Sequence, residues 1–184
     1  MAIFKDYLEN KSPLILHGAL GTEMESLGYD ISGKLWSAKY LLEKPEVIQK
    51  IHETYVAAGA DLITTSSYQA TLPGLIDAGL TKEEAEQIIA LTVQLAKDAR
   101  DKVWATLDET EKAKRPYPLI FGDVGPYAAY LANGSEYSGD YGQITIEELK
   151  EFHRPRIQIL LGQGVDLLAL ETIPNRLEAQ ALIE

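Results

Sequence analysis

The stretch Asp166-Leu-Leu-Ala-Leu-Glu171-Thr172-Ile173-Pro174 places one acidic side chain at the end of an uninterrupted apolar run. Leu167–Leu170 contains no polar residue, which is typical of a strand that is buried on both faces in a parallel sheet. Glu171 follows where such a strand leaves the sheet, and ligands bind at this carboxyl edge in α/β sheets and barrels. Two interpretations stay open: Glu171 contacts a ligand, or it caps the next helix or pairs with a neighbouring Lys or Arg.

The same pattern occurs earlier in the chain. Residues 59–68 align without gaps on residues 164–173. In both segments a glycine closes a helix, an aspartate opens a strand, and a polar residue follows five positions after that aspartate, so Ser66 occupies the place of Glu171. Helix–glycine–strand repeats of this kind build βα solenoids and barrels.

Four strands are predicted, and their residues are 14–17, 61–66, 119–121 and 167–170. Strands that are joined by helical crossovers are parallel. Strand starts separated by roughly 50 residues leave room for four units in 184 residues, whereas a closed eight-stranded barrel needs far more. The predicted fold is therefore α/β, with parallel βα repeats that form the first four units of a (β/α)8 TIM barrel. Residues 1–184 are expected to form this partial barrel as a single domain.

Local signals predict where helices begin and where loops lie. Proline is favoured at the first helical position, which predicts a helix from near Pro45. Thr81 and Thr145 each precede a glutamate by three residues, and such capping boxes predict two further helix starts. Segment 106–115 is expected to be an exposed loop or a short irregular helix. Segment 133–142 is rich in Gly and Tyr and is interpreted either as a binding loop or lid, or as a surface loop packed on its own tyrosines.

Composition argues against several classes of function. The net charge is −11, and nucleic-acid binding depends largely on clustered Lys and Arg, so we expect no nucleic-acid partner. No apolar run approaches the roughly 18 residues that span a bilayer, and Met1–Asp6 lack the basic-then-apolar order of a signal peptide. We therefore expect a cytoplasmic protein without membrane contact. The chain has no cysteine, which excludes disulfides, thiolate nucleophiles and cysteine-ligated zinc.

Seven segments match the motifs of one known family in the family's order, and together they span nearly the whole chain. They are Gly18–Glu25, Leu35–Ala38, Ala58–Thr71, Gly125–Tyr127, Gly134–Tyr141, Phe152–Arg154 and Glu171–Pro174. In these motifs the chain resembles the homocysteine S-methyltransferase family, of the type that uses S-methylmethionine or S-adenosylmethionine. The resemblance implies a (β/α)8 barrel that transfers a methyl group from a methylsulfonium donor to the thiol of homocysteine. It also implies a zinc ion, held by three cysteines in full-length members, that keeps the thiol as a thiolate.

The resemblance further implies a set of residues that bind homocysteine. Glu171 matches the acid expected to bind the homocysteine amino group, and Tyr68 matches a residue near the substrate. Two matched positions depart from the pattern, because His17 stands where aspartate is expected and Asp123 stands where serine is more usual. A protonated histidine repels an ammonium, and a neutral one accepts at most one hydrogen bond. The implied substrate-binding residues are His17, Gly18, Ser67, Tyr68, Asp123 and Glu171.

Three functional hypotheses follow. The first is a truncated homocysteine S-methyltransferase that is inactive alone, with no catalytic residue, metal ligand or cofactor in this chain, because the resemblance places the zinc cysteines on strands six and eight. The second is a non-catalytic half-barrel that closes against a second copy, giving a homodimer or larger oligomer through its exposed edges. The third is a different enzyme, in which His17, Asp123 and Glu171 hold a divalent metal.

Three aromatic side chains outside this set also have structural interpretations. His52 and His153 are predicted to be core-edge histidines that hydrogen-bond to neighbours. Trp36 is interpreted as a packed aromatic residue or as part of a methylsulfonium site through cation–π attraction.

Overall fold

The computed structural model describes residues 13–33 and 35–184. The prediction that no signal peptide is present concerns Met1–Asp6, which lie outside these residues. The described strands are β1 Leu62–Thr64, β2 Leu119–Val124 and β3 Leu167–Leu170. The described helices are α1 Leu20–Ser26, a 3-10 helix Trp36–Ala38, α2 Lys39–Glu43, α3 Pro45–Ala58, α4 Leu72–Asp77, α5 Lys82–Thr106, α6 Glu109–Lys112, α7 Tyr127–Leu131, α8 Ser135–Ser138, α9 Ile146–Gly162 and α10 Arg176–Ile183.

The three strands form one parallel sheet in the order β1–β2–β3. Leu62 pairs with Leu119, and Phe121 pairs with Leu167. Neighbours in the sheet are therefore neighbours in the sequence, with helices in every connection. This confirms the predicted α/β fold with parallel strands, and β3 has the predicted bounds.

The first predicted strand, residues 14–17, is not formed as a strand. It contributes a single parallel bridge between Leu16 and Leu62. The main chain still runs beside β1, because Ile15 accepts a hydrogen bond from Asp61 at 2.8 Å and His17 donates one to Leu62 at 2.9 Å. Ile15 is 53% exposed and Leu16 is 50% exposed, so this segment has little packing to extend its pairing. Within the described residues the sheet thus has three strands where four were predicted.

The second predicted strand is shorter than expected because side chains take over its last hydrogen bonds. The prediction covered residues 61–66, whereas β1 ends at Thr64. Beyond that point Thr65 Oγ1 accepts a hydrogen bond from the main-chain N–H of Asp123 at 2.9 Å. Ser67 Oγ donates one to the main-chain carbonyl of Asp123 at 2.6 Å. These two hydroxyls tie the end of β1 to β2, and β2 in turn runs three residues beyond its predicted end.

The predicted helix starts are confirmed. Pro45 is the first residue of α3, and capping boxes with both hydrogen bonds open α5 at Thr81 and α9 at Thr145. Segment 106–115 contains the short helix α6, so of its two interpretations the short helix is the one that is formed. Segment 133–142 contains α8, which the Gly-rich composition did not predict.

The helices pack beside one another in the same order as the strands. Helix α3 packs against α5, α5 against α9, and α9 against α10, while α5 and α9 also contact β2. Fully buried apolar side chains from the sheet and these helices form the core, among them Ile48, Ile63, Ile89, Ile120 and Leu160. No described helix has the length and apolar character to cross a membrane.

Candidate functional site

A cavity of about 490 Å³ lies at the carboxyl ends of the parallel strands. This is the edge of the sheet at which the sequence predicted a ligand, and the volume is within the range of small-molecule pockets. Residues that follow Leu16, β1 and β3 meet there with one residue of β2. The polar part of its lining includes His17, Gly18, Ser66, Tyr68, Asp123 and Glu171.

The cavity brings together all but one of the six predicted binding residues. The exception is Ser67, which does not line it. The Ser67 hydroxyl is instead buried between Thr65 and the carbonyl of Asp123, at 2.7 and 2.6 Å. Its neighbour Ser66 does line the cavity. Ser66 is the residue that aligns with Glu171 in the internal repeat.

Glu171 neither caps the following helix nor forms an ion pair with a described residue. The cap of α10 is Asn175, whose side chain accepts from the N–H groups of Leu177 and Glu178. The main-chain N–H of Glu171 continues the sheet by donating to the Val124 carbonyl at 3.2 Å. Burial raises the pKa of the Glu171 carboxyl, and the nearby His17 opposes that shift. The interpretation of Glu171 as a helix cap or as the ion-pair partner of a described Lys or Arg is therefore wrong, and contact with a ligand stays a prediction.

Asp123 is the more deeply buried carboxyl of the cavity, with 5% of its surface exposed. Its Oδ1 atom has no hydrogen-bond partner among the described residues. Burial raises the pKa of Asp123 well above its ordinary value, the neighbouring Glu171 raises it further, and Arg156 opposes the shift. Two carboxyls in one poorly solvated cavity favour a cation between them, or a proton in its place.

His17 has both ring nitrogens engaged by the protein. Nδ1 lies 2.6 Å from the Gly18 carbonyl, and Nε2 lies 2.8 Å from the Thr64 hydroxyl and 2.9 Å from its carbonyl. The ring also stacks on Tyr55, with centroids 5.3 Å apart. In the described part of the chain no group of three or more acidic or imidazole side chains is arranged to hold a metal ion. The hypothesised metal site of His17, Asp123 and Glu171 is therefore not formed.

Segment 133–142 reaches the cavity through Glu136, which lines it and accepts a hydrogen bond from the Tyr68 hydroxyl at 3.3 Å. Burial raises the pKa of Tyr68 to about 12, so its hydroxyl stays protonated at neutral pH. Tyr137 is 94% exposed, whereas Tyr141 is buried against Glu178. The segment thus combines a buried tyrosine of its own with a contact to the cavity through Glu136, and its role as a binding loop stays a prediction.

Two non-glycine residues beside the cavity have left-handed backbone conformations. Thr172 follows Glu171 directly and has φ +53°, and Trp36 lines the cavity with φ +46°. This conformation is costly for a β-branched or bulky residue, and such strain clusters at functional sites. Trp36 is also 48% exposed, so its interpretation as a packed aromatic residue is wrong.

A buried ionic network lies behind the cavity, and the sequence interpretation missed its centre. Arg156 is 1% exposed and donates to the carbonyls of Ser67, Tyr68 and Gly125 at 2.6 to 3.2 Å. It also contacts His153 Nδ1 at 3.1 Å, and His153 Nε2 lies 2.8 Å from Glu178. A signal was available in the spacing, since buried positions 149, 152, 153, 156 and 160 follow one face of α9.

The two histidine predictions have different outcomes. His153 is buried and hydrogen-bonded to Glu178 and Arg156, which confirms its prediction. His52 is fully buried, but neither of its ring nitrogens has a described hydrogen-bond partner. The expectation of a hydrogen-bonded neighbour for His52 is therefore wrong, and its ring instead lies against the ring of His17, with centroids 5.5 Å apart.

Comparisons with known proteins point to one family. The family described as Homocysteine S-methyltransferase matches residues 14–184. "Homocysteine S-methyltransferase 1" of Zea mays is 47% identical over 171 residues, which are 92% of this chain and 53% of that protein. "Homocysteine S-methyltransferase YbgG" of Bacillus subtilis (strain 168) is 48% identical over 170 residues, again 92% of this chain and 53% of that protein.

A solved structure agrees with these sequence matches. The metallated form of the homocysteine methyltransferase MmuM from Escherichia coli superposes with a TM-score of 0.88 at 44% identity, over 97% of this chain and 60% of that one. The chain thus spans about half the length of the relatives it matches in sequence.

Proposed function

This chain belongs to the homocysteine S-methyltransferase family, and from that premise we propose that it forms the homocysteine-binding part of a methyltransferase. The observation that carries the proposal is the cavity at the strand ends, where Glu171 presents a carboxyl and makes no ion pair with a described residue. An amino acid carries an ammonium group that such a carboxyl binds. Glu171 is thus assigned to the amino group of homocysteine.

The fold proposed for this part is the first four units of a (β/α)8 barrel. Support comes from the in-order parallel sheet, from the segment 15–17 that runs beside β1, and from helices that pack in the order of the strands. The superposition on the Escherichia coli homocysteine methyltransferase at a TM-score of 0.88 supports the same arrangement.

The other predicted binding residues have different roles in this proposal. Tyr68 forms the wall between the substrate and Glu136, and Gly18 lets the chain pass close to Tyr55, since a Cβ at Gly18 would lie 2.7 Å from that ring. His17 is held by Thr64 and shapes the wall without offering a free nitrogen. Ser67 acts indirectly, because its hydroxyl fixes the carbonyl of Asp123.

The residues of this chain do not fit the zinc ion that the family implies. The 184 residues include no cysteine, and in residues 13–33 and 35–184 no cluster of His, Asp and Glu is arranged to bind a metal ion. We therefore derive no step through zinc and propose that these residues alone bind homocysteine without methylating it.

Calorimetric titration of the purified chain with L-homocysteine tests the binding proposal. We expect saturable binding that weakens by at least about tenfold in Glu171→Gln, because one partner of a buried charge pair is lost. Glu151→Gln, on the exposed face of α9, is the control and should leave the affinity unchanged. Absence of binding would contradict the proposal. Incubation with zinc, homocysteine and S-methylmethionine should yield no methionine, and turnover would contradict the claim that this chain is inactive alone.

A second candidate function is self-association as a half-barrel. It is favoured by exposed apolar side chains at both edges of the sheet, with Ile15 and Leu16 beside β1 and Leu170 at the end of β3. No described strand covers the outer edge of β3. In this case light scattering should give twice the 20.3 kDa mass of one chain. A monomer in solution would contradict it and leave homocysteine binding untouched.

A further inference from the structure

Two buried side-chain oxygens, each on a residue that lines the cavity, lack a hydrogen-bond partner within the described residues. They are Oδ1 of Asp123 and Oγ of Ser66, and the two residues are 5% and 6% exposed. Buried polar atoms in folded proteins are paired with few exceptions. An unpaired oxygen on a residue that lines a cavity therefore points to a polar ligand as its partner.

The charge at this point of the cavity is negative. Asp123 lies in β2, and Glu171 follows β3 and donates its main-chain N–H to Val124, the residue after Asp123. The two carboxyls thus come from neighbouring strand ends. Neither forms an ion pair within 4.0 Å with a described residue. Burial raises the pKa of both carboxyls, and in Asp123 the proximity of Glu171 adds to the effect.

The cationic and titratable groups that face Asp123 do not neutralise it directly. From α9, Arg156 donates to the carbonyls of Ser67, Tyr68 and Gly125, so its N–H groups are directed at main-chain oxygens. From the first segment, His17 has its nitrogens engaged by Gly18 and Thr64. From the β1 loop, the Tyr68 hydroxyl donates to Glu136. Arg156 thus acts on Asp123 only through its charge, and a cation in direct contact with the two carboxyls is left for a ligand to supply.

An ammonium group fits this arrangement better than a methylsulfonium. It carries several N–H donors, which match the lone pairs of two carboxyls and the free Oδ1 atom of Asp123. A sulfonium has no donor and is bound through aromatic faces. We propose that Asp123 is a second carboxyl that binds the substrate ammonium together with Glu171 and so selects α-amino acids. The inference rests on the proposed function in taking this cavity as the substrate site.

The test compares two ligands that differ in the amino group alone. L-Homocysteine and its deaminated analogue 4-sulfanylbutanoate are titrated by calorimetry into the wild-type chain, Asp123→Asn and Glu171→Gln. We expect the wild type to favour homocysteine by at least about tenfold, and we expect Asp123→Asn to remove most of that preference without weakening the analogue. Equal affinities of the wild type for the two ligands, or an Asp123→Asn variant that keeps the full preference, would overturn the inference.

A second measurement on the wild type keeps the test independent of whether the variants fold. Burial raises the pKa of both carboxyls, and an arriving ammonium favours their charged forms, so homocysteine binding should release protons, increasingly as the pH is lowered. Titrations in buffers of different ionisation enthalpy measure this release, and a value of zero counts against the inference. If L-methionine binds through Asp123 while homocysteine does not, the proposed function fails and the inference stands. If homocysteine binds independently of Asp123, the inference fails and the function stands.

Discussion

The guanidinium of Arg156 donates a hydrogen bond of 3.0 Å to the main-chain carbonyl of Tyr68, 88 positions earlier in the sequence. The same side chain holds the carbonyls of Ser67 and Gly125, so one residue of α9 fixes the loops that follow both β1 and β2. Burial lowers the pKa of Arg156 to about 10, which leaves it charged at neutral pH. The cavity wall therefore depends on a buried cation bound to main-chain oxygens.

Replacement of this cation should be strongly destabilising. Arg156→Met leaves three buried carbonyls without their donor, and we expect the free energy of unfolding to fall by about 3–5 kcal/mol. Arg154→Met removes a neighbouring arginine that is exposed, and it should change the stability by no more than about 0.5 kcal/mol. Urea unfolding followed by circular dichroism measures both. Similar losses in the two variants would show that the carbonyl contacts of Arg156 contribute little.

The loop after β2 has no room for a side chain at Gly125. A Cβ there would lie 2.7 Å from both the ring and the carbonyl oxygen of Tyr68. Gly125→Ala should displace Tyr68 and lower the free energy of unfolding by about 1–3 kcal/mol. Gly162→Ala, at the end of α9 where nothing lies within 4 Å, is the matched control and should be neutral or stabilising by up to about 1 kcal/mol. If Gly125→Ala unfolds at the same urea concentration as the wild type, Tyr68 is not held as tightly as the structure indicates.

Much of the fold follows from local signals. The apolar run Leu167–Leu170 and the capping boxes at Thr81 and Thr145 depend on residues that are close in sequence, and all of them were predicted with correct starts. The strand predicted at 14–17 depends on partners that are distant in sequence. The main chain there makes a single bridge to β1, and the half-exposed side chains of Ile15 and Leu16 pack too little to extend it into a ladder.

The candidate site was also predictable only where its residues follow from local sequence patterns or from the family resemblance. Glu171 was identified because the carboxyl end of a parallel strand is a position that sequence patterns reveal, whereas Tyr68 was identified through the family resemblance alone. The choice between Ser66 and Ser67 was not, since it depends on which hydroxyl bonds to Asp123 in the next strand. The spacing on α9 indicates that position 156 is buried, but it does not show which carbonyls of distant loops accept from an arginine there, so the role of Arg156 was missed.

The loop that carries Glu136 is fastened to the last helix by Asn175. The Oδ1 atom of Asn175 caps α10. The Nδ2 atom of Asn175 donates a hydrogen bond to the Gly139 carbonyl at 2.8 Å. Asn175→Ala should cost about 1–2 kcal/mol because both the cap and the loop contact are lost. Asn175→Asp keeps the cap but loses the donor, so its stability should lie between those of the alanine variant and the wild type.

Limited proteolysis separates the two roles of Asn175. Tyr137 is 94% exposed within the same loop, so chymotrypsin cleavage there reports on how firmly the loop is held. Both Asn175 variants should be cleaved faster than the wild type. Thr81→Ala, which removes a helix cap without a loop contact, should lose about 1 kcal/mol of stability with no change in this cleavage. Faster cleavage in Thr81→Ala would show that the assay reports global unfolding and not loop release.

His52 makes the stability of the fold depend on pH. Burial, and then the charge of His17, lowers the pKa of His52 from 6.5 to about 3. In the unfolded chain His52 therefore binds a proton below about pH 6.5, whereas in the folded chain it binds one only below about pH 3. This contribution to stability is fully present above the unfolded pKa and is lost as the pH falls, by about 1.4 kcal/mol per pH unit.

His52→Leu should remove this dependence because leucine does not titrate. The stability advantage of the variant over the wild type should grow by about 1.4 kcal/mol between pH 6 and pH 5, since the carboxyls that also titrate there are common to both proteins. Ile51→Leu, a buried apolar exchange at the adjacent position of α3, should give a profile parallel to that of the wild type. Urea unfolding at each pH measures the three profiles. A parallel profile for His52→Leu would mean that His52 has the same pKa in the folded and the unfolded chain, so that burial does not keep its ring neutral.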